Sequence, residues 1–269
     1  MRGYGLVEAV CKVLGESAQE RPYMFVNTKK TSPKSNPNPK PSHSTTFVPA
    51  IGDVADDPKR PPFALPLRHK DNNRVIAYLQ SRGIDRELIM ACIERGVLFE
   101  SKHYHNAVFL GKDEYGKTKF AAMRSTTTNF MRDADGSDKR YGFVLPPNNP
   151  NTTAVALYES PIDCLSHQTL CKQGYIPDFD GWRLSLGGTS VLAFGHFLEQ
   201  NPQITHCLIC TDADEAGDKV AEKIGVLLGI TIERSPPIYG TDWNDTLQAV
   251  QKIERTERTQ GKARDSPQL

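Results

Sequence analysis

The chain has 269 residues, 38% hydrophobic and 24% charged, with a formal net charge of +1 at pH 7, enough for one large core or two small ones. Near-neutrality gives no global attraction for nucleic acid, so any such binding must come from local patches. No run approaches the ~18 apolar residues of a membrane span, the N-terminus lacks a secretory apolar segment, and Cys11, Cys92, Cys164, Cys171, Cys207 and Cys210 sit in contexts too apolar for a disulfide scaffold. A soluble, cytoplasmic protein with no membrane partner is expected. The seven histidines show no ligand-like spacing.

In chain order, Leu6, Val10, Val13 and Leu14 recur at helical spacing, which predicts a short amphipathic helix stopped by Gly15. From residue 27 to 62 the chain is rich in Pro, Ser, Asn and Lys and nearly free of apolar side chains. Such a segment cannot bury enough surface to offset its ordering entropy, and is expected to be a disordered linker. Its lysines 29, 30, 34 and 40 either touch nucleic acid or are simply solvated. Residues 63–150 form a small α+β unit: helices over 74–80 and 85–95, with Asp85 as N-cap and Gly96 as stop, then strands over 97–100, 106–110 and 119–124. Residues 112–116 (KDEYG) carry a hairpin signal.

The second half, 151–250, reads as alternating strands and helices. The apolar run at 154–158 ends in Glu159-Ser160-Pro161-Ile162-Asp163. A helix then carries Asp163, Leu165, Leu170 and Cys171. SLGGTS at 185–190 is a Gly-rich turn. The run at 207–210 ends in Asp212, Ala213, Asp214, Ala216 and Gly217, before helical spacing from 217 to 228. Short apolar runs bounded by turn residues read as buried parallel strands, and in open α/β sheets ligands bind where such strands deliver their carboxyl ends. Asp212 and Asp214 repel each other unless a proton or a cation lies between them, and hard divalent cations take oxygen ligands. The plainer alternative is a helix N-cap with an acidic first turn. Cys207 and Cys210 form a CxxC on a strand, where residues three apart face opposite sides. The tail 251–269 is highly charged, without hydrophobic periodicity, and is expected to be frayed or disordered.

A glutamate after one strand, a Gly-Thr turn, Asp-x-Asp-x-Ala-Gly after a later strand, and Thr241-Asp242-Trp243-Asn244-Asp245 beyond it together resemble the toprim domain of bacterial and phage primases, topoisomerases and some nucleases. The resemblance implies an α/β toprim domain, a small parallel sheet flanked by helices, preceded by the α+β unit and the linker. It also implies a site: Glu159 as acid/base residue, Asp212, Asp214, Asp242 and Asp163 as ligands of Mg2+ or Mn2+, and Gly187, Gly188 and Thr189 as a turn approaching a nucleotide. Asn244 departs from the alternating carboxylates of the primase pattern, which bears on a second metal; Asp245 lies next to it.

Upstream, YLQSRGID, NAVFLG and GSDKRYGF resemble a domain of unassigned function fused ahead of toprim domains in mobile-element primase-like proteins. More loosely, the unit resembles the basic half of a primase core, which implies that Arg124 and Lys139, and less so Arg140, face the acidic pocket and hold phosphates. Ordinary exposed charges are the alternative. Residues 1–26 resemble the end of a primase zinc-binding module. None of the cysteines is spaced for zinc, so a protein without stoichiometric zinc is expected, one that extends a supplied primer better than it initiates from free nucleotides. Three function classes follow: a primase-like nucleotidyltransferase acting on single-stranded DNA and NTPs, alongside a helicase or relaxase of the same element; a toprim nuclease or topoisomerase; or a nucleic-acid-binding accessory protein with a silent site.

Overall fold

The computed structural model describes residues 61–225 and 229–264. The helix expected near the N-terminus and nearly all of the linker lie outside the described residues.

Two short helices come first, α1 (Asn73–Ser81) and α2 (Arg86–Glu94). Asp85 caps α2, its carboxylate accepting the Leu88 amide at 3.1 Å, and satisfies one of the donors a helix start leaves unpaired. An antiparallel sheet follows in the order β1 (Leu98–Glu100), β2 (Ala107–Lys112), β3 (Thr118–Arg124), β4 (Met131–Asp133). Its β2–β3 hairpin is closed by Asp113, whose Oδ1 accepts the amides of Tyr115 and Lys117.

The second sheet has the order β5-β7-β6-β8-β9, from β5 (Phe143–Leu145), β6 (Ala154–Tyr158), β7 (Trp182–Ser185), β8 (His206–Ile209) and β9 (Thr231–Arg234). Strands β6 to β9 pair in parallel. They are joined by α3 (Pro161–Lys172), α4 (Leu192–Gln200) and α5 (Glu215–Ile224), and α6 (Trp243–Arg264) follows β9. β5 pairs antiparallel with β7 at one edge. It precedes the boundary drawn at residue 150, yet it belongs to this second sheet. Its three residues are too few for any period to reveal their partner.

Period-two alternation divides the core. Val155 and Leu157 face a cluster with Leu184, Phe194 and Val220, while Ala156 and Tyr158 face one with Leu165, Leu170 and Trp243. Cys207 lies in the first and Cys210 in the second, as free buried thiols on opposite faces. Burial raises both, Cys210 to about 12, so neither is a ready thiolate.

The Tyr158 cluster also takes in Val75, Leu79 and Ile89 of α1 and α2. Polar ties reinforce this junction: the Asp85 amide donates to Thr169 Oγ1 at 3.2 Å, and Gln251 Nε2 donates to the Gly83 carbonyl at 2.7 Å. The tail expected to fray is helical through Arg264. Trp243, Leu247, Val250 and Ile253 are all buried, so the apolar stripe runs one turn past Val250, too briefly to register as a period in so charged a segment.

Candidate active site

Along the second sheet the chain runs from β6 outward to β7, then crosses to β8 on the other side of β6. In open α/β sheets such a reversal is where ligands bind, here at the carboxyl ends of β6 and β8. Glu159 directly follows β6 and Asp212 follows β8, and the Asp212 amide donates to Glu159 Oε1 at 3.3 Å. Asp163 sits in the first turn of α3, nearly fully buried. Asp214 precedes α5 and Asp242 precedes α6. The loops carrying them are tied by the Ala213 amide, which donates to the Thr241 carbonyl at 2.8 Å.

Electrostatics shows that these groups meet. Burial pushes Asp212 up to about 8, and the charges of Asp163, Glu159, Asp242 and Asp214 add to the effect. Asp163 is pushed to about 7, first by burial and then by Asp242 and Glu159, against a hydrogen bond from Ser160 Oγ at 2.6 Å. Burial also raises Glu159, an effect opposed by the Asp212 amide, reinforced by Asp214 and moderated by Arg234. Oδ1 of Asp163 and Oδ1 of Asp212 are buried without a hydrogen-bond partner. A buried carboxylate oxygen with nothing to accept from is costly, and a hard cation removes that cost. These donors therefore fit a divalent ion of the magnesium type. Among the described residues, these carboxylates are not drawn together into a close cluster of three ligand atoms. An ion held here completes its shell with water or phosphate oxygens, as magnesium commonly does.

Capping and cation binding are compatible here. Asp214 Oδ1 accepts the Gly217 amide at 2.8 Å and Asp242 Oδ1 accepts the Asp245 amide at 2.7 Å, so each carboxylate caps its helix with one oxygen. Gly217 permits the tight strand-to-helix approach: a Cβ there would lie 2.1 Å from the Asp212 carbonyl.

The Gly-rich turn docks on the same strand end. The Gly188 amide donates to the Glu159 carbonyl at 2.9 Å, and Gly187 and Gly188 both adopt positive φ, +66° and +114°. Thr189 is exposed beside them. Lys139 Nζ donates to the Gly187 carbonyl at 2.9 Å, pairs with Asp133, and lies 5.4 Å from the Phe120 ring centroid. Arg140 pairs with Asp138. Arg124 is placed elsewhere. It donates to Met131 Sδ at 2.7 Å, its Nε is buried without an acceptor, and it lines a groove with Arg82, Tyr78, Thr126, Thr127 and Thr128.

Sequence reasoning missed Arg234 at the end of β9. Its guanidinium donates to the carbonyls of Thr211 and Asp212, both at 2.7 Å, and to Asp218 at 3.1 Å. It thereby holds the loop that carries Asp212 from behind. An arginine closing a four-residue strand has no local pattern to announce it.

Asn244 is also resolved as a structural residue. Fully buried, it donates through Nδ2 to the Arg82 carbonyl and Ser166 Oγ, each at 2.9 Å, and accepts from Gln248. Its side chain is committed away from the acidic set. Restoring the carboxylate, Asn244→Asp, is expected to destabilise the protein by about 1–3 kcal/mol, because a buried acceptor would then face the Arg82 carbonyl. A urea midpoint equal to wild type would refute this.

The Toprim-like family profile matches residues 156–247, and residues 77–149 match the family described as protein of unknown function, DUF3991. The chain therefore carries a Toprim-like domain over residues 156–247, with a segment matching DUF3991 ahead of it. Among solved structures, it is similar to the primase fragment of the Bacteriophage T7 primase-helicase protein, at 16% identity and TM-score 0.48 over 75% of this chain and 82% of that one. The E. coli primase catalytic core is similar at 14% identity and TM-score 0.46, over 70% and 74%. For the Aquifex aeolicus primase (zinc-binding and RNA polymerase domains) the values are 18% and 0.41, over 68% and 55%. No curated protein matches this chain. No helix among the described residues is long and apolar enough to cross a membrane.

Proposed function

We propose that the protein is a primase-like, metal-dependent nucleotidyltransferase that joins nucleotides on single-stranded DNA during replication of a mobile element. The observation that carries this reading is the meeting of Glu159, Asp163, Asp212, Asp214 and Asp242 at one end of the sheet, with two buried carboxylate oxygens unpartnered. Asp212, Asp214, Asp242 and Asp163 hold Mg2+ or Mn2+, which when bound neutralises charge on the attacking and leaving oxygens of phosphoryl transfer. Glu159, half-buried and raised from its ordinary value by that burial, is suited to take a proton. The turn at Gly187, Gly188 and Thr189 offers backbone to a nucleotide, with Lys139 beside it. Arg124 supplies positive charge for template phosphate in its own groove. A helicase or relaxase of the same element is the natural partner, and the cytoplasm the natural compartment.

The test incubates the full chain with labelled NTPs, Mg2+ and single-stranded DNA, with and without an annealed primer, beside a plasmid-nicking assay. Template-dependent incorporation supports the proposal. Nicking without incorporation assigns the site to a Toprim nuclease, and neither activity makes the protein a binding accessory. Arg124→Ala and Lys139→Ala are each expected to weaken single-stranded DNA binding and lower the salt slope by about 0.7, the loss of one phosphate contact. An unchanged slope in both would return them to the solvated surface.

A further inference from the structure

Away from the acidic site, three potential metal ligands converge at the edge of the first sheet. Glu100, the last residue of β1, is fully buried. Its Oε2 accepts the amides of Arg74 and Val75 in the first turn of α1, at 3.0 and 3.3 Å. Its Oε1 points the other way, 2.5 Å from His105 Nδ1 and 3.7 Å from His69 Nδ1. The three ligand atoms lie within 4.8 Å of one another. The two imidazoles stand edge to face, with centroids 4.8 Å apart.

The backbone is shaped to produce this convergence. His69 is laid along the end of β1 by its amide, which donates to the Glu100 carbonyl at 2.8 Å, and by the Lys102 amide, which donates to the Leu67 carbonyl at 2.7 Å. His105 reaches back through a loop closed by the Ser101 amide to the Asn106 carbonyl at 2.9 Å. Tyr104 and His105 both adopt positive φ, 64° and 52°, and are the non-glycine residues among those described that do so. Two successive left-handed residues are unfavourable for L side chains, and such strain persists where surrounding structure enforces it, often at ligand sites. A hydrogen bond between Glu100 and His105 alone does not explain the strain, and His69 Nδ1, which also contacts the Asp71 carbonyl and amide at 3.2 and 3.4 Å, lies 3.7 Å from the same Glu100 oxygen.

We propose that His69, Glu100 and His105 form a binding site for a first-row transition cation of the zinc type. Two imidazole nitrogens and one carboxylate oxygen suit zinc and its neighbours, whereas magnesium and calcium prefer oxygen alone. Bonds of about 2.1 Å in tetrahedral geometry place ligand atoms roughly 3.4 Å apart. His69 therefore moves in slightly and His105 out. Asp71, whose Oδ1 is 3.5 Å from His69 Nδ1, or a water takes the fourth position. The ion joins the segment before α1, the start of α1, the end of β1 and the loop at 101–106, a structural role independent of the Toprim-like site. The zinc-free expectation rested on cysteine spacing and on histidines judged by spacing in sequence. Only the fold brings His69 and His105 together.

The test strips the full chain with chelator, then titrates it with Zn2+ against a chromophoric indicator. Wild type is expected to bind one equivalent tightly, with its melting temperature rising with zinc concentration. Asp212→Asn should bind equally well. His69→Ala and His105→Ala should each weaken binding at least about 10-fold, the scale lost when even an outer partner of a metal ligand is removed. If either variant fails to fold, X-ray absorption of the zinc-loaded wild type decides. Two imidazole shells at about 2.0–2.1 Å support the site, and an all-oxygen shell or no stoichiometric zinc overturns it. Equal zinc uptake by wild type and a folded double-histidine variant overturns it as well.

Discussion

Asp212→Asn is expected to reduce Mg2+-dependent incorporation by at least about 10²-fold, the scale of losing several kcal/mol of charge stabilisation from a displaced ion, while making the metal-free protein harder to melt. Both effects come from one cause. Burial and four neighbouring carboxylates hold Asp212 near 8, far above its ordinary 3.8. Below about pH 4 the folded and unfolded chains both carry the proton. Between about 4 and 8 the unfolded chain ionises while the folded chain keeps its proton, so the folded state loses stability as pH rises, and above about 8 the full penalty applies. Asp163, pushed to about 7, adds a loss of the same sign up to its own value. An amide carries no charge to bury, so the variant should show a flatter decline between about pH 5 and pH 8. Metal binding has the opposite dependence. It requires the ionised carboxylates, so Mg2+ affinity should strengthen as pH rises through about 7 to 8, with protons released. Thermal melts and calorimetry at several pH values check both. Activity within a few-fold of wild type would remove Asp212 from the site, and an apo melting curve with undiminished pH dependence would assign the proton elsewhere.

Glu159→Gln should separate chemistry from binding. Glutamine retains an acceptor for the Asp212 amide, so the strand ends should keep their spacing and Mg2+ should still bind. The proton-accepting group is gone, and loss of a positioned general base costs about 10²–10⁴-fold in rate. Single-turnover incorporation should therefore fall by that factor with calorimetric Mg2+ affinity near wild type. Loss of Mg2+ binding would instead make Glu159 a ligand.

Where local pattern and tertiary role coincide, the sequence alone was sufficient. The strand at 154–158 was legible because a strand buried on both faces must be apolar throughout, and the Asp-x-Asp-x-Ala-Gly that follows β8 was legible because a strand end entering a helix needs caps and a glycine for close approach. The hairpin closed by Asp113 was readable for the same reason, since its turn is made by adjacent residues. Tertiary structure alone decided the rest, because partners remote in sequence leave no local signal. The three-residue β5 takes its meaning from β7, and Asn244 from Arg82 and Ser166. Arg234 takes its meaning from two carbonyls beyond β8. The weakened acidities of Asp163 and Asp212 follow the same logic: composition supplies carboxylates, but only folding removes their water and sets them against one another. His69 and His105 are scattered in sequence, and the left-handed turn that aims one of them at Glu100 exists only once β1 and α1 have packed.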